Sequence, residues 1–200
     1  MNMSNKLTIS RIVLTFVFMF FLFSKGVTSK VMALFIFSVA AGTDFLDGFL
    51  AKRRNEISDF GKFMDPIADK ILVLSAFLAF VEMKLIPAWI VVIILLRELI
   101  ITGLRILALR KGEVVGAEMA GKQKTISQIA SIYIVLFFII FRECGTTVFG
   151  FWNQNAERIS RDIIYSMMLL TAFFTIISGL AYLKKYRGLL GGIDKTTKKS

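Results

Sequence analysis

Four of the five aspartates between residues 44 and 69 lie in the phrases Asp44-Phe-Leu-Asp47-Gly48-Phe-Leu-Ala51-Lys52 and Gly61-Lys-Phe-Met-Asp65-Pro-Ile-Ala-Asp69. They sit where two hydrophobic segments meet a basic loop. Carboxylates at the edge of a membrane span are costly to keep there, so a cluster of them marks a functional site. On helices, Asp44 and Asp47 are i,i+3 neighbours and Asp65 and Asp69 are i,i+4 neighbours, so each pair projects from one face. Packing those faces together gathers four oxygen ligands in a small volume, where unneutralised like charges would repel strongly. A pair of divalent cations relieves the repulsion, and an all-carboxylate donor set suits Mg²⁺ or Mn²⁺ better than zinc.

The elements that must position these groups are apolar. The chain is 56% hydrophobic with two prolines in 200 residues and a mean hydropathy of +0.71, the composition of an all-α integral membrane protein. Histidine is absent and Cys144 is the single cysteine, which excludes histidine acid–base chemistry, Cys/His zinc sites and an intrachain disulfide. Cys144 itself reads as a small apolar residue near a span end. A bilayer-spanning helix needs about 20 mostly apolar residues, and six segments meet that need: roughly 8–25, 31–51, 64–82, 86–109, 125–142 and 162–183. The first is expected to be a retained span, because no small-residue cleavage site follows it. Residues 1–190 form one expected transmembrane domain, and 191–200 a disordered basic tail.

Lysine and arginine placement sets the orientation. Lys6, Arg11, Lys52, Arg53, Arg54, Lys62, Lys70, Arg105, Arg110, Lys111, Lys122, Lys124 and the tail cations fall on one side, against Lys25, Lys30, Lys84, Arg142, Arg158 and Arg161 on the other. Both termini and the aspartate cluster are therefore expected on the cytoplasmic face of a multi-pass protein of the cytoplasmic (inner) membrane. The net charge of +11 follows from that asymmetry and from attraction to anionic membrane lipids. Nucleic-acid binding is not indicated, since no nucleic-acid motif or aromatic-interleaved basic face accompanies the charge.

A second group of charges could hold an anion. Arg97-Glu98 interrupts an apolar fourth span, and a buried arginine needs a partner or an anionic ligand. Arg105 lies near the same helical face. Gly121-Lys122-Gln-Lys124-Thr125-Ile-Ser-Gln128 opens the fifth span, where backbone N–H groups and the helix dipole favour negative charge. These cations make a phosphate site beside the metal centre. Alternatively, Arg97 pairs structurally with Glu98 or a metal aspartate, and the lysines are interface anchors.

The order Asp-x2-Asp-Gly-x2-Ala-(basic)-x8-Gly-x3-Asp-x3-Asp resembles the signature of the CDP-alcohol phosphotransferase family. The resemblance implies six transmembrane helices, a homodimer, and two divalent metals held by Asp44, Asp47, Asp65 and Asp69 against the pyrophosphate of a CDP-linked donor. It also implies that Asp69 is the base and that Ser58 touches the cytidine diphosphate. Gly48, Ala51 and Gly61 would let the nucleotide approach the backbone closely, or would only ease helix packing. Gly61 is expected just before the third helix, and Pro66 near its start. The pattern departs at Lys52, where the family carries arginine. Lysine keeps the charge but loses the planar fork toward phosphate, so Arg53 is an alternative to Lys52 in that role.

Within the family, the Arg-Glu-x2-Ile-x3-Arg and Gly-Lys-x-Lys-Thr-x2-Gln runs are similar to the phosphatidylglycerophosphate-forming branch. So is the opening Asn5-Lys-Leu-Thr8-Ile-Ser-Arg11. That similarity implies transfer of the phosphatidyl group of CDP-diacylglycerol to sn-glycerol 3-phosphate, with Thr8, Arg11, Arg97, Arg105, Lys122 and Lys124 toward the acceptor. Gly48, Lys52, Ser58 and Gly61 would then serve the CDP-diacylglycerol end. A different acceptor, as in cardiolipin or phosphatidylinositol-phosphate synthesis, is the rival inside the family. A cation or proton transporter is the rival outside it. A transporter should carry carboxylates at mid-membrane in repeated halves, and here they cluster at one interface.

Overall fold

Lipid offers no partner for a backbone amide, so a single apolar stretch that crosses it satisfies its amides within itself only as a helix. The computed structural model describes the backbone of residues 3–51, 59–110 and 119–185, and side chains over 9–43, 70–104 and 124–184. The described residues contain six helices and no strand: α1 (Met3–Phe23), α2 (Val27–Ala51), α3 (Asp59–Glu82), α4 (Ala88–Arg110), α5 (Met119–Thr147) and α6 (Gln154–Lys185). Several run past their expected apolar segments. The residues added to α5 and α6 are polar at their starts, and a helical hydrogen-bond ladder continues through polar residues that need not enter hydrocarbon. Within α3, Gly61 lies in the first turn and not before the helix as expected, and Pro66 lies about two turns in, further from the start than expected, because the helix already begins at Asp59. Membrane-type helices tolerate such an interior proline when neighbouring groups satisfy the freed carbonyl.

The chain divides into two compact units, Met1–Ile86 with Ile132–Ile164 and Pro87–Ser131 with Tyr165–Ser200. In the first unit α1 packs against α2 and α3. Its core contains the fully buried Phe18, Leu22, Phe37, Phe77 and Phe80. Phe37 stacks at 5.5 Å on both Phe18 and Tyr133, edge-on to the latter, and the Tyr133 hydroxyl donates to Ser38 Oγ at 3.1 Å. The turn between α1 and α2 uses Gly26 at φ 95°, a conformation that costs a residue with a Cβ. Lys30 Nζ donates to the carbonyls of Leu22 and Ser24 at 2.6 and 2.8 Å, satisfying the end of α1. Gly26 N–H donates to Glu143 Oε1 at 3.0 Å.

The second unit is knit by polar side chains inside an apolar surround. Ser131 Oγ and Thr171 Oγ1 share a 2.7 Å hydrogen bond between α5 and α6. Thr175 Oγ1 donates back to the Thr171 carbonyl at 2.7 Å. Ile101, Leu104 and Tyr182 form a small buried cluster, with Leu183 packed against it.

Among the described residues, two stretches, Lys124–Thr147 and Gln154–Lys184, are long and apolar enough to cross a bilayer, and Ile9–Phe23 and Val27–Thr43 are shorter apolar helices. On α1 the exposed residues Ile9, Val13, Phe16, Phe20 and Phe23 recur at alternating steps of four and three, a continuous stripe on one face. An apolar stripe of this size needs lipid or protein against it.

Candidate active site

The helical backbone of α2 carries positions 44, 47 and 48, and that of α3 carries positions 61, 65 and 69. The i,i+3 and i,i+4 spacings required of the two aspartate pairs are therefore spacings on helices. The side chains of Asp44, Asp47, Asp65 and Asp69 lie outside the described residues, as do those of Thr8, Arg105 and Lys122. Lys52 and Ser58 lie outside them entirely. Arg11 is described: it is 4% exposed on α1, and its carbonyl accepts the Thr15 hydroxyl at 2.9 Å.

The second unit brings two of the expected residues together. Arg97 NH1 lies 3.2 Å from Glu98 Oε1, and Lys124 Nζ is ion-paired to the same oxygen. Arg97 NH2 donates to Ser178 Oγ at 2.9 Å. The cluster is withdrawn from solvent, with side-chain exposures of 12% for Arg97, 11% for Glu98 and 8% for Lys124. Burial of this kind strengthens each electrostatic contact and makes the loss of any one partner costly.

Local sequence explains how the arginine is accommodated. A Cβ at position 179 would stand 3.1 Å from Arg97 Cγ, closer than ordinary contact, so glycine there gives the aliphatic part of Arg97 room against α6. Thr171, Thr175 and Ser178 repeat at steps of four and three, all buried on one face of α6. Sequence reasoning passed over that ladder. Its signal was present in the spacing, but small hydroxyl residues barely disturb an apolar stretch.

Not every donor in the cluster is used. The buried Nε of Arg97 and the buried Nε2 of Gln128 have no hydrogen-bond partner. Native interiors rarely leave such atoms unsatisfied, and an exception calls for a reason such as a ligand. The arrangement can therefore receive an oxygen-rich anion: cationic donors converge there, with donor capacity to spare. By contrast, a cavity of about 320 Å³ in the first unit is walled by Ile134, Phe138, Phe141, Trp152, Ile163 and Ile164, with Ser160. Those walls suit hydrocarbon and offer nothing to phosphate.

Known proteins resemble this chain over most of its length. The family model for CDP-alcohol phosphatidyltransferases matches residues 1–172. The chain is 34% identical over 196 residues to a CDP-diacylglycerol–glycerol-3-phosphate 3-phosphatidyltransferase of Bacillus subtilis, covering 92% of this chain and 94% of the relative. It is 34% identical over 186 residues to a protein of the same name from Rickettsia typhi, covering 92% and 96%. A probable phosphatidylglycerophosphate synthase of Mycobacterium tuberculosis is 32% identical over 198 residues, covering 98% of this chain and 86% of the relative.

Proposed function

The chain belongs to the CDP-alcohol phosphatidyltransferase family, and from that premise we propose that it transfers the phosphatidyl group of CDP-diacylglycerol to sn-glycerol 3-phosphate. The products are phosphatidylglycerophosphate and CMP, within anionic phospholipid biosynthesis. The observation that carries the choice of acceptor is the buried convergence of Arg97 and Lys124, which suits a phosphorylated alcohol. Near-full-length similarity to enzymes named for that reaction supports it.

The acceptor's primary hydroxyl attacks the β-phosphorus of the donor, a new phosphorus–oxygen bond forms, and the bond to CMP breaks. Asp69 takes the hydroxyl proton. Four carboxylates on helical backbone, in a chain without histidine, fit two divalent cations of the Mg²⁺ or Mn²⁺ type. Asp44, Asp47 and Asp65 would hold them, with Asp69 also within the ligand set. When bound, such ions neutralise the pyrophosphate and the charge growing on the leaving group.

Arg97 and Lys124, with Thr8, Arg11, Arg105 and Lys122, hold the acceptor phosphate and orient the attacking hydroxyl, which lowers the entropic part of the barrier. Gly48 and Gly61 let the nucleotide lie close to the backbone. Lys52, or Arg53 beside it, and Ser58 contact the diphosphate. The protein acts as a homodimer of six-span subunits, residues 1–190 forming the transmembrane domain, with both termini and the active site on the cytoplasmic side of the cell membrane. The test is CMP release by purified protein in detergent with CDP-diacylglycerol, Mg²⁺ and a panel of alcohols. Release driven by glycerol 3-phosphate supports the reading, and release driven instead by inositol phosphate or phosphatidylglycerol overturns it.

A further inference from the structure

Lys124, Gln128 and Ser131 are all buried on α5, with Gln128 and Ser131 4% and 1% exposed, and steps of four and three put them on one face. The outer two members are occupied. Lys124 is ion-paired to Glu98 on α4, and Ser131 is hydrogen-bonded to Thr171 on α6. Gln128 lies between them, and its Nε2 has no hydrogen-bond partner. If Gln128 were only interhelical glue, its amide should be bonded to a neighbouring helix, as Ser131 is. An unsatisfied amide in an apolar interior is destabilising, so its retention beside a binding cluster points to a ligand.

We infer that Gln128 is a specificity-determining residue that donates through its carboxamide to the middle hydroxyl of the phosphorylated acceptor. This rests on the acceptor reading above. Charged donors, Arg97 and Lys124, match the doubly charged phosphate. A neutral donor one turn further along the same face matches a neutral oxygen one step further along the same small molecule. A site built to hydrogen-bond a substrate hydroxyl rejects an analogue that lacks it, because the buried donor is then left unpaired.

The experiment compares kcat/KM for sn-glycerol 3-phosphate and for 3-hydroxypropyl phosphate, which keeps the attacking hydroxyl and the phosphate and lacks the middle hydroxyl. Wild type, Gln128→Leu and Gln128→Met are assayed in the full-length protein, with apparent Tm in detergent recorded for each. Wild type should prefer glycerol 3-phosphate by roughly fivefold to tenfold, the value of one neutral hydrogen bond. In either variant that preference should fall to near one, with the KM for CDP-diacylglycerol unmoved and the apparent Tm not lowered.

Absence of discrimination in wild type, or a preference that survives both substitutions, overturns the assignment. So does a Tm loss with the preference intact, which would make Gln128 structural. If wild type uses neither phosphorylated acceptor but releases CMP with another alcohol, it is the acceptor reading itself that fails.

Discussion

Two glutamates in this molecule each gather cations, and they do so in different surroundings. Glu157, near the start of α6, accepts Arg161 Nε at 2.8 Å and Trp152 Nε1 at 3.0 Å, and lies 3.2 Å from Arg142 Nε. Arg161 NH1 reaches on to the Lys84 carbonyl at 3.0 Å. The arginines there are 40% and 43% exposed, so water completes their shells. Lys84 holds a left-handed φ of 56°, and the arginine tying down its carbonyl helps the turn keep a shape that lysine does not favour. This is a staple joining the turn after α3 and the last turns of α5 to the start of α6.

The cluster around Glu98 has similar composition and different surroundings. Its side chains are nearly dry, and two buried donors, on Arg97 and Gln128, face no acceptor. Where water is available, an arginine–glutamate group can be purely structural at little cost. In a dry interior the same group is retained with unused donors when a ligand completes it. On the proposed reading, solvent access and donor satisfaction, more than residue type, separate a binding cluster from a structural one.

The largest expected effect lies outside both clusters and sets the scale. Asp44→Asn, Asp47→Asn and Asp65→Asn should each cut turnover at least about a hundredfold, about 2.7 kcal/mol of barrier, while the protein stays folded. If two of the three kept more than about a tenth of wild-type activity, the metal-ligand assignment would be wrong. Next, Arg97→Ala should lower kcat/KM for glycerol 3-phosphate by about 10- to 150-fold, the value of a charge-assisted hydrogen bond of roughly 1.5–3 kcal/mol. The KM for CDP-diacylglycerol should move far less, and equal loss at both substrates would make Arg97 structural, like Arg161.

Gly179→Ala sharpens the contrast without touching a charge. Its methyl would press on Arg97 Cγ from 3.1 Å and shift the guanidinium by a few tenths of an ångström. Acceptor kcat/KM should then fall about threefold, well short of the roughly hundredfold penalty of a 1 Å misplacement. An unchanged acceptor KM would show that the guanidinium position is not critical. The smallest effect belongs to the staple. Glu157→Gln should lower the apparent Tm by no more than about 4 °C and leave both substrates' kinetics unchanged. A selective loss of acceptor affinity in that variant would erase the distinction drawn between the clusters.

The sequence made some of this visible and hid the rest for physical reasons. Hydropathy located all six helices, because each apolar segment lies largely within one helix of the structure. It misplaced their ends at α5 and α6, where polar residues continue the helix beyond the apolar core. It also put Gly61 and Pro66 at the edge of α3, since both are ordinarily helix punctuation. Arg97, Glu98 and Lys124 were conspicuous as charges in apolar surroundings, and one of the two readings left open, pairing of Arg97 with Glu98, is present in the structure. That pairing does not remove the phosphate reading, because Arg97 keeps a buried donor to spare. The hydroxyl ladder on α6, the room left by Gly179 and the unused Gln128 donor depend on which residues meet across helices. No window along the chain reports that.

The most direct test of the central claim is the ratio of CMP release with sn-glycerol 3-phosphate to that with glycerol, measured for wild type and for Lys124→Ala. Lys124 and Arg97 should hold the acceptor phosphate, so wild type should favour glycerol 3-phosphate strongly. The substitution should shrink that ratio by at least about tenfold while leaving the slow glycerol rate nearly where it was. If both acceptors lose rate in equal proportion, the buried cations around Glu98 hold helices together, and the acceptor phosphate binds elsewhere.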